Sequence, residues 1–133
     1  MARHFSTIIT MGYDFYITRK KNILLDENGP AITPEEWLAL INSDPELTLD
    51  DPDTEPYFAV WSGPGEYPCW IDYDPDLGSL FSESPTDEFL EKMDQLAVSL
   101  NGTVQGEAGE IYRSDGILEG TWIKDDDQQW HLA

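Results

Sequence analysis

The sequence is short of positive charge. Its 133 residues hold 7 Lys and Arg against 27 Asp and Glu, a formal net charge of −20. Arg3, Arg19, Lys20 and Lys21 cluster near the start, leaving only Lys92, Arg113 and Lys124 for a remainder that carries every acidic residue except Asp14. Nucleic-acid binders set Lys and Arg against phosphates, and anionic lipid surfaces recruit polybasic segments. Neither nucleic acid nor membrane is therefore an expected partner. The field favours a basic protein surface or cations, although acidity of this size also serves solubility alone.

Other shortages narrow the chemistry. The single cysteine, Cys69, allows no internal disulfide, and its neighbours Trp70 and Ile71 point to a buried thiol in a reducing cytoplasm. The 2 histidines, His4 and His131, lie near opposite ends without a second ligand at helix or hairpin spacing, which argues against zinc and against histidine acid–base chemistry. No stretch approaches the ~20 apolar residues of a membrane span. Residues 1–10 (MARHFSTIIT) lack the apolar segment and cleavage site of a secretory signal. There is no G-x-S-x-G elbow, Walker-type G-K-[ST] or G-x-G-x-x-G. Gly102, Gly106 and Gly109 follow a helix, the reverse of a phosphate-binding order. With 27 acids some carboxylates must lie close together, but no Lys or Arg is spaced to tune a pair. A catalytic set, a cofactor and a metal are all unexpected, so a binding protein is expected rather than an enzyme.

What is present suffices for one ordinary core: 40% hydrophobic residues, 12% of the chain aromatic. Residues 11–133 are expected to form a single α+β domain, a mostly antiparallel meander packed by two amphipathic helices. Residues 1–10 are expected to be an N-terminal extension, since Met11 could itself initiate. Tyr13, Phe15 and Ile17 alternate with Asp14, Tyr16 and Thr18 as in a half-buried strand. Arg19-Lys20-Lys21 is expected to be a solvated strand end. Thr33-Pro34-Glu35-Glu36-Trp37 spells a helix start, with a Thr33 cap, Pro34 at the first position and Glu36 closing a capping box, and Ile32 stapled to Trp37. Asp44-Pro45 ends that helix.

Residues 44–56 are rich in Asp and Pro and read as an exposed acidic loop. Residues 57–61, 67–73 and 80–81 are aromatic or β-branched runs separated by turns, hence a meander. Residues 84–100 read as the second helix, with Ser84 as cap, Pro85 first, and Phe89, Leu90, Met93, Leu96, Ala97 and Leu100 as its apolar stripe. Residues 103–105 and 110–113 suggest a hairpin, and the tail suggests one or two edge strands.

Asp72, Asp74, Asp76 and Glu83 imitate a calcium loop, but Gly78 falls at the seventh place where the sixth is needed, and Pro75 stiffens the backbone. An acidic β-turn describes it better. The candidate contacts for a basic partner are accordingly Asp50, Asp51, Asp53, Asp72, Asp74 and Asp76, with Trp61 or Trp70 as aromatic anchor.

G-Y-D-F-Y-I-T-R-K (12–20), I-T-P-E-E-W-L (32–38), S-D-P-E-L (43–47) and V-Q-G-E-A-G-E-I-Y (104–112) resemble a family of small acidic bacterial proteins of uncharacterised function, whose members read YDLYITR, EEWL and VQGDDGE-Y. The resemblance spans about two thirds of the chain. It departs at Glu107-Ala108, where relatives carry an acidic pair, and it implies no catalytic residue. At class level such proteins are similar to the immunity proteins of bacterial toxin systems. The expectation is a cytoplasmic, immunity-type inhibitor that blocks a basic active-site cleft of a toxin. The alternative is a stand-alone regulatory or small-ligand-binding domain whose acidity serves solubility.

Overall fold

Strand alternation sets the first element. In the computed structural model, which describes residues 13–65, 68–112 and 118–133, strand β1 (Asp14–Thr18) turns Phe15 and Ile17 inward and leaves Asp14 and Tyr16 partly accessible, as a period of two requires. Helix α1 (Pro34–Ser43) starts as its residues dictate. The Thr33 hydroxyl accepts the Glu36 N–H at 3.1 Å and the Glu36 carboxylate accepts the Thr33 N–H at 3.0 Å, so two otherwise orphaned donors are satisfied. Ile32, Trp37 and Ile41 are buried together.

Four strands follow: β2 (Leu47–Leu49), β3 (Ala59–Trp61), β4 (Cys69–Asp74) and β5 (Ser79–Glu83). The presumed loop of residues 44–56 thus contains a short strand, because Leu47 inserts into the core and Leu49 packs against it. β4 begins directly after Pro68, which has no N–H to give a ladder.

Helix α2 (Asp87–Ser99) begins later than its sequence suggests. Thr86, not Ser84, is the cap, its hydroxyl accepting the Phe89 N–H at 3.2 Å. The sheet claims Ser84 instead. Its N–H donates to the Tyr13 carbonyl at 2.9 Å and its hydroxyl accepts the Tyr13 N–H at 3.2 Å. Asp87 and Glu88 still occupy the first turn, where the helix dipole favours anions. After α2 come β6 (Thr103–Gly106), β7 (Glu110–Tyr112), β8 (Leu118–Lys124) and β9 (Trp130–Leu132).

Among the described residues nine strands form one sheet in the order β2-β3-β4-β5-β1-β6-β7-β8-β9, and the pairings are antiparallel. The fold is α+β and mostly sheet. β1 stands between β5 and β6, so chain order breaks at the centre of the sheet. The buried side chains of both helices join Phe15, Ile17, Ile71, Tyr73, Leu80 and Val104 in one core on the inner face.

At the end of β1 Lys21 is exposed, but Arg19 and Lys20 are not the solvated residues expected. Arg19 Nε donates to the Leu100 carbonyl at 2.7 Å, Nη1 donates to the Ala31 carbonyl at 2.9 Å, and the guanidinium grips Glu36 through two bonds of 2.9 and 2.6 Å. A central strand delivers its C-terminal residues between the start of α1 and the end of α2, and that placement converts Arg19 into a clamp. Lys20 is buried as well. Among the described residues no helix is long and apolar enough to cross a membrane.

Candidate interaction face

The outer face of the sheet collects the residues that strand alternation turns away from the buried core. Across it Asp72, Phe81, Tyr16 and Gln105 are successive partners on β4, β5, β1 and β6. Beside them Val60 pairs with Trp70, and Asp14 pairs with Glu83. Part of this face is roofed by the segment after β1. Gln105 is fully buried there, its Oε1 accepting the Ile23 N–H at 2.9 Å and its Nε2 donating to the Lys20 carbonyl at 2.9 Å.

The unroofed part is a strip of aromatic rings. Phe58 stacks on Trp70 with centroids 5.4 Å apart and an interplanar angle of 21°, and Trp70 meets Phe81 edge to face at 5.6 Å. Tyr16 continues the strip beside Phe81. All four are half-buried, not sealed. Rings held in this way present a rigid apolar surface at low entropic cost.

Carboxylates frame the strip. Asp14, Asp72, Asp74 and Glu83 share the outer face, and Glu107 reaches it from the β6–β7 turn, accepting the Asp14 N–H at 2.6 Å. Burial, followed by the charges of Glu107 and Glu83, pushes the Asp14 carboxyl up from its ordinary range. Burial likewise raises the Tyr16 phenol, with Asp14 and Glu107 adding to the effect. Burial is the larger cause in both, and a side-chain hydrogen bond between Tyr16 and Asp14 partly offsets the rise of the carboxyl while adding to that of the phenol. Among the described residues no Lys or Arg lies within ion-pair distance of Asp14, Asp72, Glu83 or Glu107.

The structure distributes the sequence candidates unevenly. Trp70 and Asp72 lie on this face, and so does Asp74, whose Oδ1 also accepts the N–H groups of Asp76 and Leu77 at 2.9 and 3.2 Å. Asp72 and Asp74 therefore belong to a strand, and only Asp76 sits in the hairpin turn. Asp50, Asp51 and Asp53 are exposed between β2 and β3, where Asp51 Oδ2 accepts the Thr54 hydroxyl at 2.6 Å. Trp61 is not an anchor. Its inward position on β3 leaves it 5% exposed, with its ring 5.0 Å from that of Phe89 and its Nε1 donating to Glu46.

Sequence reasoning did not single out Tyr16, Phe58 and Phe81. Their signal was the alternation itself: Tyr16 and Phe81 occupy outward positions opposite Ile17 and Leu80. Among the described residues no group of three or more His, Cys, Asp or Glu could hold a metal ion.

A second concavity has the other sign. Arg19, Lys20, Lys21, Asn101, Thr103, Ile111 and Trp122 line a cleft of ≈ 170 Å³ at the end of α2. The Lys21 ammonium lies 4.2 Å from the centre of the Trp122 ring. The chain matches no protein-family model, no curated protein and no solved structure.

Proposed function

We propose that this chain is an acidic protein-binding module of the bacterial cytoplasm, an immunity-type inhibitor that covers the basic active-site cleft of a cognate toxin such as a nuclease. The observation that carries the proposal is the outer face, where Phe58 stacks on Trp70, Trp70 meets Phe81 edge to face, Tyr16 is the cross-strand partner of Phe81, and no described Lys or Arg pairs with Asp14, Asp72 or Glu83. In this proposal the two helices back a meandering sheet and leave its other face to the partner. The charge would set the association rate and the buried rings would set dissociation. The resemblance to small acidic bacterial proteins supports the same class by analogy.

The test is inhibition. The purified chain is mixed with the product of the toxin-like gene beside its own, and residual toxin activity is measured. Inhibition that weakens at least tenfold in Trp70→Ala and in Asp72→Asn supports the proposal. Absence of any complex in low salt, with no toxin-like neighbour, would overturn it.

The basic cleft favours a second use, as a stand-alone small-ligand domain. Its lining of Lys20, Lys21, Asn101 and Thr103 suits a small anion. Titration with inorganic phosphate, followed through the Trp122 signal, tests it: a saturable change lost in Lys21→Gln supports the site, and no change excludes it.

A further inference from the structure

The outer face combines two kinds of group that recognise different parts of one side chain. Half-buried ring faces attract a cation that can shed water, and carboxylates attract a donor with matched geometry. Trp70 and Phe81 supply the rings, with Asp72 directly opposite Phe81 across the β4–β5 pair and Glu83 two residues further along β5. Asp14 adds a third carboxylate, opposite Glu83. No basic side chain among the described residues pairs with these three acids.

We propose that this face selects arginine, and that its occupant is an arginine-bearing segment of a basic protein rather than a lysine-rich one. This rests on the protein-binding function proposed above. A guanidinium is planar and weakly hydrated, so it can lie flat on Trp70 or Phe81 while its edge donates two parallel hydrogen bonds to Asp72 or Glu83. An ammonium is a strongly hydrated point charge. Setting it against the rings removes water that a single carboxylate oxygen does not replace, and it has no second donor edge aligned with the first. Charge alone would not distinguish the two cations. The rings do, because they are where the desolvation difference is felt.

The exposed acids between β2 and β3 provide the internal contrast. Asp50, Asp51 and Asp53 have comparable charge, but the structure places no exposed ring strip among them. They attract either cation without preference.

The experiment titrates the full chain with two labelled peptides of equal length and charge, one carrying arginines separated by Gly and Ser, the other lysines at the same positions. Anisotropy is read at near-physiological salt, where long-range attraction is screened. The arginine peptide is expected to bind about three- to tenfold tighter. The ratio should fall toward one in Trp70→Leu and in Phe81→Leu, each checked for an intact fold by circular dichroism, and should persist in the paired change Asp51→Asn, Asp53→Asn. Amide shift mapping on the unmodified protein should place the arginine peptide over Tyr16, Trp70 and Phe81. Equal affinity for both peptides overturns the selectivity and leaves a basic-partner module standing. A preference that survives loss of both rings also overturns it. If neither peptide binds, the binding-module function itself fails.

Discussion

The Lys92 ammonium lies 2.8 Å from Asp44 and 2.9 Å from Glu46, so one side chain of α2 holds both carboxylates of the turn that follows α1. Lys92 is largely buried, and Glu46 also accepts Trp61 Nε1 at 3.0 Å. Burial pushes the Asp44 carboxyl upward, but the Lys92 ammonium and the Glu46 N–H outweigh it and leave Asp44 below its ordinary range. Lys92→Met keeps the stem and leaves two acids facing each other. It is expected to cost about 2 kcal/mol, read as a lower urea midpoint at unchanged slope. An unchanged midpoint would show that the cross-link does not stabilise the fold.

Gln105 should be the most sensitive polar residue of the sheet. Gln105→Leu leaves the Ile23 N–H without its acceptor and the Lys20 carbonyl without its donor. A loss of about 2–3 kcal/mol is expected from the unsatisfied groups, together with faster hydrogen exchange across residues 20–25. Wild-type exchange in that segment would place its anchor elsewhere.

Gly109 tests the β6–β7 turn. Its φ is +84°, and an added Cβ would lie 2.4 Å from Asn22 Nδ2. Asn22 is held on both sides, its Nδ2 donating to the Trp122 carbonyl and its Oδ1 accepting the Leu24 N–H, each at 2.9 Å. Gly109→Ala therefore combines backbone strain with a clash against a side chain that cannot withdraw. The expected cost is about 2 kcal/mol, visible as a lower melting temperature.

The pH profile should carry two opposite contributions. Arg19 is the main cause holding the Glu36 carboxyl at about 2, against an ordinary 4.5. Its folded value lies below its unfolded one, so the stability it adds is complete above pH 4.5 and is lost as pH falls toward 2. Asp14 is raised, so its ionisation opposes folding and protonation relieves that opposition. Glu36→Gln should flatten the acid limb. Asp14→Asn should stabilise the protein at neutral pH, with the gain shrinking in acid, while weakening a cationic partner. Denaturant melts across this range give the comparison.

The elements with local signals were legible in the sequence. The Thr33–Glu36 capping box, the alternation of β1 and the apolar stripe of α2 are decided within a few residues, and the structure shows each. The start of α2 was not, because Ser84 has a partner, Tyr13, far away in sequence. Arg19 was misjudged for the same reason: only the central place of β1 brings Leu100, Ala31 and Glu36 around it. On the candidate face, Trp70, Asp72 and Asp74 were legible as types, but their common side follows from register. Trp61 shows the converse, since nothing in its identity told it apart from Trp70 until β3 and β4 were paired.

The place of β1 also has a consequence in time. Among the described residues it is the earliest strand in the chain and the one on which the sheet closes, since its two neighbours are Ser79–Glu83 and Thr103–Gly106. At ordinary elongation rates both its edges stay unpaired for on the order of ten seconds. An unpaired, half-apolar strand is a template for other chains during that interval. When β5 and β6 arrive, a single docking event joins the two halves of the sheet. Both halves then share β1 and one core, so the domain should lose its structure in one cooperative step.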